Sequence, residues 1–348
     1  MIKTILCVLF NDFPSSTVRG IGRTKYAEDL GVNWINFEFF DAKIGSPSDL
    51  VRKIAWYHKL RTNLIIKRKL KDLEKIILNK VDVILLINRP DQTILNYLEY
   101  FTPAEVIKIY DFDDPLYLDE FNMPKSFLDN LVKYDGICVD NEIEQRLVSN
   151  YNKNVLALPG ITPVGKNLMK NNKEFKMIWV GSQSTSIYLT EYKDAFEQIL
   201  KEFPKFEITF LGFDGSGLEI LNERARYVPK YDEKDIINYC RDSDIGFYPS
   251  FDNQLGIERG PHKIHVYLSC GLPVIARDNV LNRQVLNAEY GFLHETVVEF
   301  KDIVRKLIID VSLINELKAS IRSSYDGDQL NKESTLRLIN FFEIVSKK

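Results

Sequence analysis

The chain has 348 residues, of which 45% are hydrophobic and 27% charged, a profile typical of a globular protein with room for two domains. The formal net charge of −3 excludes a general basic surface for nucleic acid, and no run approaches the roughly 18–20 apolar residues of a membrane-spanning helix. The four cysteines lie far apart, in or beside apolar runs, which favours buried free thiols in a reducing, cytoplasmic compartment.

Short apolar runs alternate with amphipathic stretches along the first half of the chain. The predicted strands cover 4–10, 34–40, 81–88, 106–110, 136–139 and 155–158, and the predicted helices cover 18–30, 49–79, 91–100, 124–133 and 141–150. Buried strands separated by helices are typical of a parallel, doubly wound α/β sheet. The pattern therefore predicts a Rossmann-like domain over 1–162.

A polar stretch at 163–174, rich in Lys and Asn, predicts a linker, after which the alternation restarts. The second set of predicted strands covers 177–180, 206–211, 227–228, 245–248 and 273–276, and the helices cover 186–202, 233–241, 262–270 and 299–323. We expect a second Rossmann-like domain over 175–325, and a terminal segment, 326–348, whose helix packs back toward the first domain. Two such doubly wound domains in tandem predict a cleft between them, at the carboxyl ends of their strands.

The stretch 50–80, which includes nearly all of the helix predicted at 49–79, carries ten basic residues against two acidic ones. Its apolar residues recur at helical spacing, and Trp56 and Tyr57 suit a boundary between water and lipid. One interpretation is a basic amphipathic surface that contacts an anionic membrane from the cytoplasmic side. The alternative is a solvated helix whose apolar stripe packs on its own sheet.

The stretch 244–276 predicts a strand, a polar loop, a helix and a second strand. Pro261 suits the first turn of the helix, and Gly271 suits its end. A helix N-terminus carries exposed N–H groups and partial positive charge, so this one suits an anion such as a diphosphate. Lys263 lies in the first turn, and Glu258, Arg259 and His262 lie beside it.

Three motifs occur in order along the chain. Residues 109–114, Ile-Tyr-Asp-Phe-Asp-Asp, carry a Y-D-x-D-D pattern, and residues 179–182, Trp-Val-Gly-Ser, follow a predicted strand. The block at 244–276 begins with Asp-Ile-Gly, carries Lys263 and Tyr267 in its helix, and ends with Gly-Leu-Pro-Val-Ile-Ala. Together these motifs resemble a GT-B glycosyltransferase, most similar to a subgroup of glycosyltransferase family 4.

The resemblance implies that the second domain binds a nucleotide-sugar, a UDP- or GDP-sugar, as donor substrate, without a permanent cofactor or a metal ion. Negative charge builds on the departing diphosphate, so fixed cations and N–H donors there lower the barrier. The expected donor contacts are Lys263, Arg259, His262, Ser182, Ser184, Thr185 and the backbone near Val228, and Arg19 is a further phosphate or acceptor contact. A surface arginine is an equal alternative for Arg19.

The common family pattern has two glutamates eight residues apart, the second five residues before the glycine that ends the helix. Counted back from Gly271, the second position is Val266 and the first is Glu258. We therefore expect Glu258 to face the sugar and the usual ribose contact to be missing. The family's Arg/Lys phosphate pair is also missing, because serine and threonine occupy its loop, and this leaves Lys263 and Arg259 to counter the diphosphate.

The aspartates of the Y-D-x-D-D segment follow a predicted strand, where residues of a ligand site belong. Asp113 falls near the position of a family histidine opposite the donor sugar, so we expect Asp113 or Asp114 to orient the acceptor hydroxyl or the sugar. The resemblance implies retention of anomeric configuration, and with inversion either aspartate would act as general base. A metal site or a simple helix cap are the alternatives for this segment.

Three functions fit these observations. The first is a nucleotide-sugar-dependent glycosyltransferase that acts on a glycan or lipid-linked acceptor in surface polysaccharide or glycolipid synthesis. A sugar-nucleotide epimerase shares the tandem fold, but it needs acid and base groups on both faces of the sugar, and the sequence has no clear second set. A catalytically degenerate partner protein is the third, because one glutamate and the phosphate pair are absent.

Overall fold

The computed structural model describes residues 2–9, 16–38, 55–88, 92–121, 123–165, 174–220, 222–250 and 254–347, with the main chain alone at 55–66, 92–93, 120 and 257. The chain divides into two compact units. The N-terminal unit contains Met1–Ile161 together with Asn331–Lys348, and the C-terminal unit contains Thr162–Leu330.

Six parallel strands form the sheet of the N-terminal unit, in the order β2-β1-β3-β4-β5-β6. They are β1 Thr4–Leu9, β2 Asn33–Glu38, β3 Val83–Ile87, β4 Ile107–Asp111, β5 Gly136–Val139 and β6 Val155–Ala157. Every residue of β3 and β5 is buried. This agrees with their continuous apolar runs, which are typical of strands covered on both faces. The strand order reverses between β1 and β3, which makes that pair the switch point of the sheet.

The helices that precede or follow these strands are α1 Thr24–Asp29, α2 Ala55–Leu78, α3 Gln92–Phe101 and α4 Glu142–Val148. The helix predicted at 124–133 is wrong for most of its length, because only a short 3-10 helix, Asp129–Lys133, forms there. The Asn130 side chain donates to the Ser126 carbonyl at 2.8 Å, and such local bonds compete with regular helical ones.

The described part of the basic helix α2 has two different sides. Leu70, Leu73 and Ile77 are buried against the sheet, so the apolar stripe packs on its own domain. The basic side chains Lys67, Arg68, Lys71 and Lys75 are exposed. Residues 50–54 and the side chains of Trp56 and Tyr57 lie outside the described residues, and contact with a membrane stays a prediction.

Six parallel strands also form the sheet of the C-terminal unit, in the order β12-β11-β10-β7-β8-β9, which is the Rossmann order. They are β7 Phe175–Val180, β8 Phe206–Leu211, β9 Ala225–Val228, β10 Ile245–Tyr248, β11 Val274–Arg277 and β12 Gly291–His294. The prediction of two doubly wound parallel sheets is confirmed. Strand β12 was not predicted, because its four residues end in a histidine and lack a continuous apolar run.

The helices of this unit are α5 Lys193–Glu202, α6 Glu233–Arg241, α7 Gln254–Glu258, α8 His262–Ser269, α9 Val280–Val285, α10 Val297–Ile309 and α11 Val311–Ser324, with a 3-10 helix at Gln183–Tyr192. The single helix predicted at 299–323 is two helices. Asp310 separates them, because its Oδ1 accepts the N–H groups of Ser312 and Leu313 and so starts a new helix.

The last helix, α12 Gly327–Val345, buries Leu338, Phe341 and Phe342 in the apolar core of the N-terminal unit. The close fit explains a glycine in β5, since a Cβ atom at Gly136 would lie 2.8 Å from the Phe341 ring. Among the described residues, no helix has both the length and the apolar content to cross a bilayer.

Candidate active site

The switch point of the C-terminal sheet lies between β7 and β10, where the strand order reverses. Ligands of such sheets bind at the carboxyl ends of the strands at this point. The segment after β7 begins at Gly181, and the segment after β10 leads through α7 to the start of α8. Both segments contain predicted donor contacts.

The turn after β7 is built by its own hydroxyl groups. The Ser182 N–H donates to Thr185 Oγ1 at 2.9 Å, and the Thr185 N–H donates to the Ser182 carbonyl at 3.0 Å. The hydroxyls of Ser182 and Ser184 lie 2.9 Å apart. The turn therefore starts the 3-10 helix Gln183–Tyr192 and contains hydroxyl groups, which are neutral donors.

A buried tyrosine joins the two strands of the switch point. The Val180 N–H donates to the Tyr267 hydroxyl at 2.8 Å, and this hydroxyl donates to the Phe247 carbonyl at 3.1 Å. Burial raises the pKa of Tyr267 well above its ordinary value, so the phenol stays a donor. A Cβ atom at Gly246 would lie 2.6 Å from the Tyr267 ring, so glycine is needed there. Tyr267, four residues after Lys263 in α8, thus supports the strand end from which the turn after β7 begins.

Four predicted residues lie together between α7 and the first turn of α8. Glu258 is buried, and Gln254 donates to its Oε1 at 2.8 Å. Arg259, His262 and Lys263 are half-buried. The N-terminus of α8 has no side-chain cap, so the N–H groups of its first turn and the lysine share one end of the helix. This arrangement suits an anion.

The ends of β8 and β9 complete the described edge. The Gly212 N–H donates to the Val228 carbonyl at 2.7 Å, so that backbone acceptor already has one partner. Gly212 has a φ of +95°, and a Cβ atom there would lie 2.1 Å from the Gly181 carbonyl oxygen. Val266, the position of the missing ribose glutamate, is buried in the apolar side of α8.

Asp244 of the same block lies away from this edge. It precedes β10, at the amino end of the strand, where its Oδ1 accepts from Lys318 Nζ at 2.9 Å. Its Oδ2 accepts the Lys176 N–H at 3.0 Å. The aspartate therefore fastens α11 and β7 to the strand, and its part of the motif is structural.

Arg19 is not on the surface. It lies in a π-helical turn after β1 and its side chain is fully buried, so the alternative of a surface arginine is wrong. Its Nε donates to Asp111 Oδ1 at 2.7 Å, and its Nη2 donates to Asp111 Oδ2 at 3.1 Å. The Leu158 carbonyl accepts from Nη1. Asp111, the last residue of β4, is thus held by a two-bond ion pair.

Asp113 lies two residues beyond this pair. Its side chain is half-buried, and its Oδ1 is a buried oxygen with no hydrogen-bond partner among the described residues. Burial and the neighbouring Asp114 raise its pKa to about 7, against the opposing effect of Arg19. A carboxyl group with its pKa raised into this range suits proton exchange or hydrogen bonding with a hydroxyl near neutral pH.

Two further carboxyl groups belong to this cluster and were not predicted. Asp140 follows β5 and lies with Oδ1 3.4 Å from Arg19 Nη1, and burial raises its pKa to about 6. Glu144, in α4, accepts the Asp140 N–H at 2.9 Å, and burial followed by Asp140 raises its pKa well above the ordinary value. The available signal was position alone, since both residues follow the carboxyl end of β5 beside the Y-D-x-D-D strand.

Two of the carboxylates near Arg19 pair with its guanidinium. Within the described parts of the chain, no three His, Cys, Asp or Glu side chains are placed to hold a metal ion. The cation already present among them is the guanidinium of Arg19, which bonds to Asp111 and lies near Asp140.

Solved structures share this architecture over nearly the whole chain. A glycosyltransferase from Rickettsia africae ESF-5 matches with a TM-score of 0.66 and 16% identity, over 99% of this chain and 98% of that one. The chain has the GT-B fold. The Anabaena protein Alr3699/HepE, solved in complex with UDP and glucose, matches with a TM-score of 0.62 and 14% identity, over 97% and 99%.

The GT-B fold is also shared by an enzyme of another class. A candidate UDP-N-acetylglucosamine 2-epimerase from Listeria monocytogenes matches with a TM-score of 0.60 and 10% identity, over 99% of this chain and 96% of that one. No protein-family model matches the chain, and no curated protein matches it. Likeness at these identities concerns the fold, and the reaction must be argued from the side chains.

Proposed function

We propose that this GT-B chain is a glycosyltransferase that moves a sugar from a nucleotide-sugar to a glycan or lipid-linked acceptor. One observation carries the proposal: the switch point of the C-terminal sheet is flanked by a neutral hydroxyl-built turn and by a helix start that carries Lys263. The sheet position, the N–H groups and the lysine all suit a diphosphate. Structures of the same fold that contain UDP support this reading.

In this proposal each donor contact has a separate task. Lys263, with Arg259 and His262 beside it, counters the charge that develops on the leaving diphosphate. Ser184, whose side chain is exposed at the turn after β7, supplies a neutral donor. Glu258 faces the transferred sugar. Because protein cations counter the diphosphate, we propose a reaction that needs no metal.

The acceptor is assigned to the N-terminal unit. Asp113 has a buried oxygen without a hydrogen-bond partner among the described residues and a pKa of about 7, which suit a group that orients an acceptor hydroxyl. Asp114, its half-buried neighbour, is the second candidate. We propose retention of configuration, in which the leaving phosphate takes the acceptor proton and Asp113 only positions the hydroxyl.

The membrane part of the proposal concerns α2. Its exposed lysines and arginine face away from the buried stripe Leu70, Leu73 and Ile77, so an anionic surface has access to them. We propose that this face holds the enzyme at a cytoplasmic membrane surface during polysaccharide or glycolipid synthesis. Retention by anionic liposomes at low salt tests it, and equal retention by neutral liposomes contradicts it.

A thermal-shift panel of nucleoside diphosphates, followed by transfer assays with the matching nucleotide-sugars, tests the function. We expect UDP or GDP to raise the melting temperature and one nucleotide-sugar to release its diphosphate. Interconversion of two sugar-nucleotides without release of the diphosphate would identify an epimerase instead. Diphosphate binding without any turnover would identify a degenerate partner protein, and no shift with any nucleotide would overturn the donor site itself.

A further inference from the structure

A cavity of about 260 Å³ lies inside the N-terminal unit. It is bordered by α3, by the neighbouring strands β3 and β4, and by the segment at 123–134, most of which lacks the helix predicted at 124–133. Its walls are apolar and include Leu95 and Leu98 of α3 and Phe127, Leu131 and Tyr134 of that segment.

The volume is large enough for a ligand. Packed protein interiors contain few voids larger than a water molecule. An engineered cavity of about 150 Å³, lined by Leu, Ile and Phe, binds benzene, so by proportion 260 Å³ holds about ten carbon atoms. The cavity is therefore of a size for a medium-length alkyl chain.

Two of the three charged residues in the lining are cationic. Lys108 and Lys133 line the cavity, together with Glu99 and Asn130. Lys133 and Glu99 are exposed, so these groups lie toward solvent, whereas Leu98 and Phe127 are buried. Two lysines against one glutamate favour an anionic head group on an apolar ligand.

Tyr134 provides a donor that does not depend on charge. Its ring stacks on Tyr110 with centroids 5.1 Å apart. Burial, and then Glu99, raise the pKa of Tyr134 to about 12, so its hydroxyl stays protonated. Tyr134 thus adds a hydroxyl donor to a lining that also contains the two lysines.

The cavity lining shares no residue with the carboxylate cluster around Arg19. Lys108 is the second residue of β4, whereas Asp111 is the last. Lys133 precedes β5, whereas Asp140 follows it. A ligand in the cavity is therefore distinct from an acceptor held by Asp113.

We propose that this cavity binds a single alkyl chain with an anionic head, the chain lying among Leu95, Leu98 and Phe127 and the head beside Lys108 and Lys133. Two sources supply this chemistry, a free fatty acid and an acyl chain of an anionic membrane lipid. The second source is consistent with the position of the cavity next to the basic helix α2, which contacts α3 where Tyr97 donates to Glu74 at 3.1 Å. The inference does not depend on the glycosyltransferase proposal.

Calorimetric titration of the full-length protein with decanoate, octanoate and decanol tests the site. We expect decanoate to bind and octanoate to bind about 15-fold more weakly, since each buried methylene contributes about 0.8 kcal/mol. Decanol has the same chain without the charge and should bind at least about tenfold more weakly, the effect of losing a charge-assisted bond.

Matched variants separate the chain from the head group. Leu95→Trp fills the cavity and should abolish binding, whereas Leu78→Trp, at an exposed position of α2, should leave it unchanged. Lys133→Gln should weaken decanoate and leave decanol unchanged. Far-UV circular dichroism checks that each variant is folded.

Two results would overturn the proposal. One is no heat or melting shift with millimolar decanoate, and the other is unchanged affinity in folded Leu95→Trp. Mass spectrometry of lipid extracted from the purified protein, with vesicles that contain phosphatidylglycerol as the second ligand, distinguishes the sources. Bound free acid identifies the first source, and bound phospholipid that Leu95→Trp loses identifies the second.

Discussion

The carboxyl edges of the two sheets have the same architecture and opposite chemistry. In the N-terminal unit, carboxyl groups of β4, of α4 and of the segments after β4 and β5 lie near the buried Arg19, which pairs with two of them. In the C-terminal unit, hydroxyls, a lysine and the N–H groups of a helix start occupy the corresponding place. The fold therefore supplies the edge, and the loop residues decide which charge it presents.

The two edges also differ in how their charges are used. The ion pair of Arg19 with Asp111 is fully buried, so its partners stabilise the fold as well as the site. Lys263 and His262 are half-buried and so can reach a ligand. We therefore expect substitutions at the N-terminal edge to change stability and those at the C-terminal edge to change binding.

The largest effect is expected from Arg19→Met. It leaves the carboxylates of Asp111 and Asp140 buried without their cation, and breaking a buried ion pair costs about 3–5 kcal/mol. The free energy of unfolding from urea titration measures this loss. Arg146→Met, at an exposed arginine of the same unit, is the control and should change stability by less than about 0.5 kcal/mol.

A second variant checks that the loss comes from the charges. Adding Asp111→Asn to Arg19→Met removes one of the stranded carboxylates and should restore part of the stability. A loss below about 1 kcal/mol in the single variant would mean that the buried pair does not hold this edge together.

The next largest effect is the contribution of Asp113 to the pH dependence of stability. Its pKa is raised from 3.8 to about 7 in the folded protein, by burial, by Asp114 and by Asp140 and Asp111, against Arg19. Between these values the folded protein keeps a proton that the unfolded chain has released, so the free energy of unfolding falls as the pH rises. Asp113→Asn removes this contribution. The free energy of unfolding of the variant, relative to that of wild type, should therefore rise by roughly 2–4 kcal/mol between pH 4 and pH 8.

Urea titrations at several pH values measure that difference. The pKa of Asp140 is also raised, to about 6, so the free energy of unfolding of the variant still falls with pH, but with a smaller slope. Asp129→Asn, at an exposed carboxylate of the same unit, is the control and should leave the slope as it is. Parallel pH profiles for Asp113→Asn and wild type would refute the buried proton.

A third prediction concerns binding at the other edge. Lys263→Ala removes the cation at the start of α8 and should weaken UDP or GDP by about 10- to 100-fold, as expected for the loss of a charged hydrogen bond. Affinity for the free nucleoside should stay the same, because the nucleoside has no phosphate. Lys234→Ala, an exposed lysine of α6, is the matched control. Equal losses for nucleoside and diphosphate would remove Lys263 from the phosphate site.

Local signals were sufficient for much of the fold. Strands β5, β8 and β10 have the predicted bounds, because each is a short apolar run between polar or turn residues. The pattern of apolar residues failed to predict a helix boundary where one side chain decides the structure. The apolar helical spacing continues across Asp310, and only the hydrogen bonds of its side chain show that two helices meet there.

The local structure of the carboxyl edge was predictable from the sequence in the C-terminal unit and only partly in the N-terminal unit. The turn at Ser182 and the helix at Lys263 are local, so their neighbours in sequence reveal them. Arg19 and Asp111 are 92 residues apart, and the ion pair exists only because β1 and β4 end at the same edge of the sheet. The sequence therefore identified the acidic motif, but it could not show that the motif pairs with the buried Arg19.

The smallest effect is expected from Tyr267→Phe, which tests the support between the two strands of the C-terminal switch point. The variant removes the hydroxyl that accepts the Val180 N–H and donates to the Phe247 carbonyl, and it should cost about 1–2 kcal/mol in stability. The turn at Gly181 then loses its support, so diphosphate affinity should fall a few-fold while the charge of the site is unchanged. Tyr100→Phe, an exposed tyrosine, controls for loss of a hydroxyl. Destabilisation without any change in diphosphate affinity would show that the turn after β7 keeps its shape without the Tyr267 hydroxyl. In that case the helix start at Lys263 alone would account for the difference in anion binding between this edge and the acidic edge of the N-terminal unit.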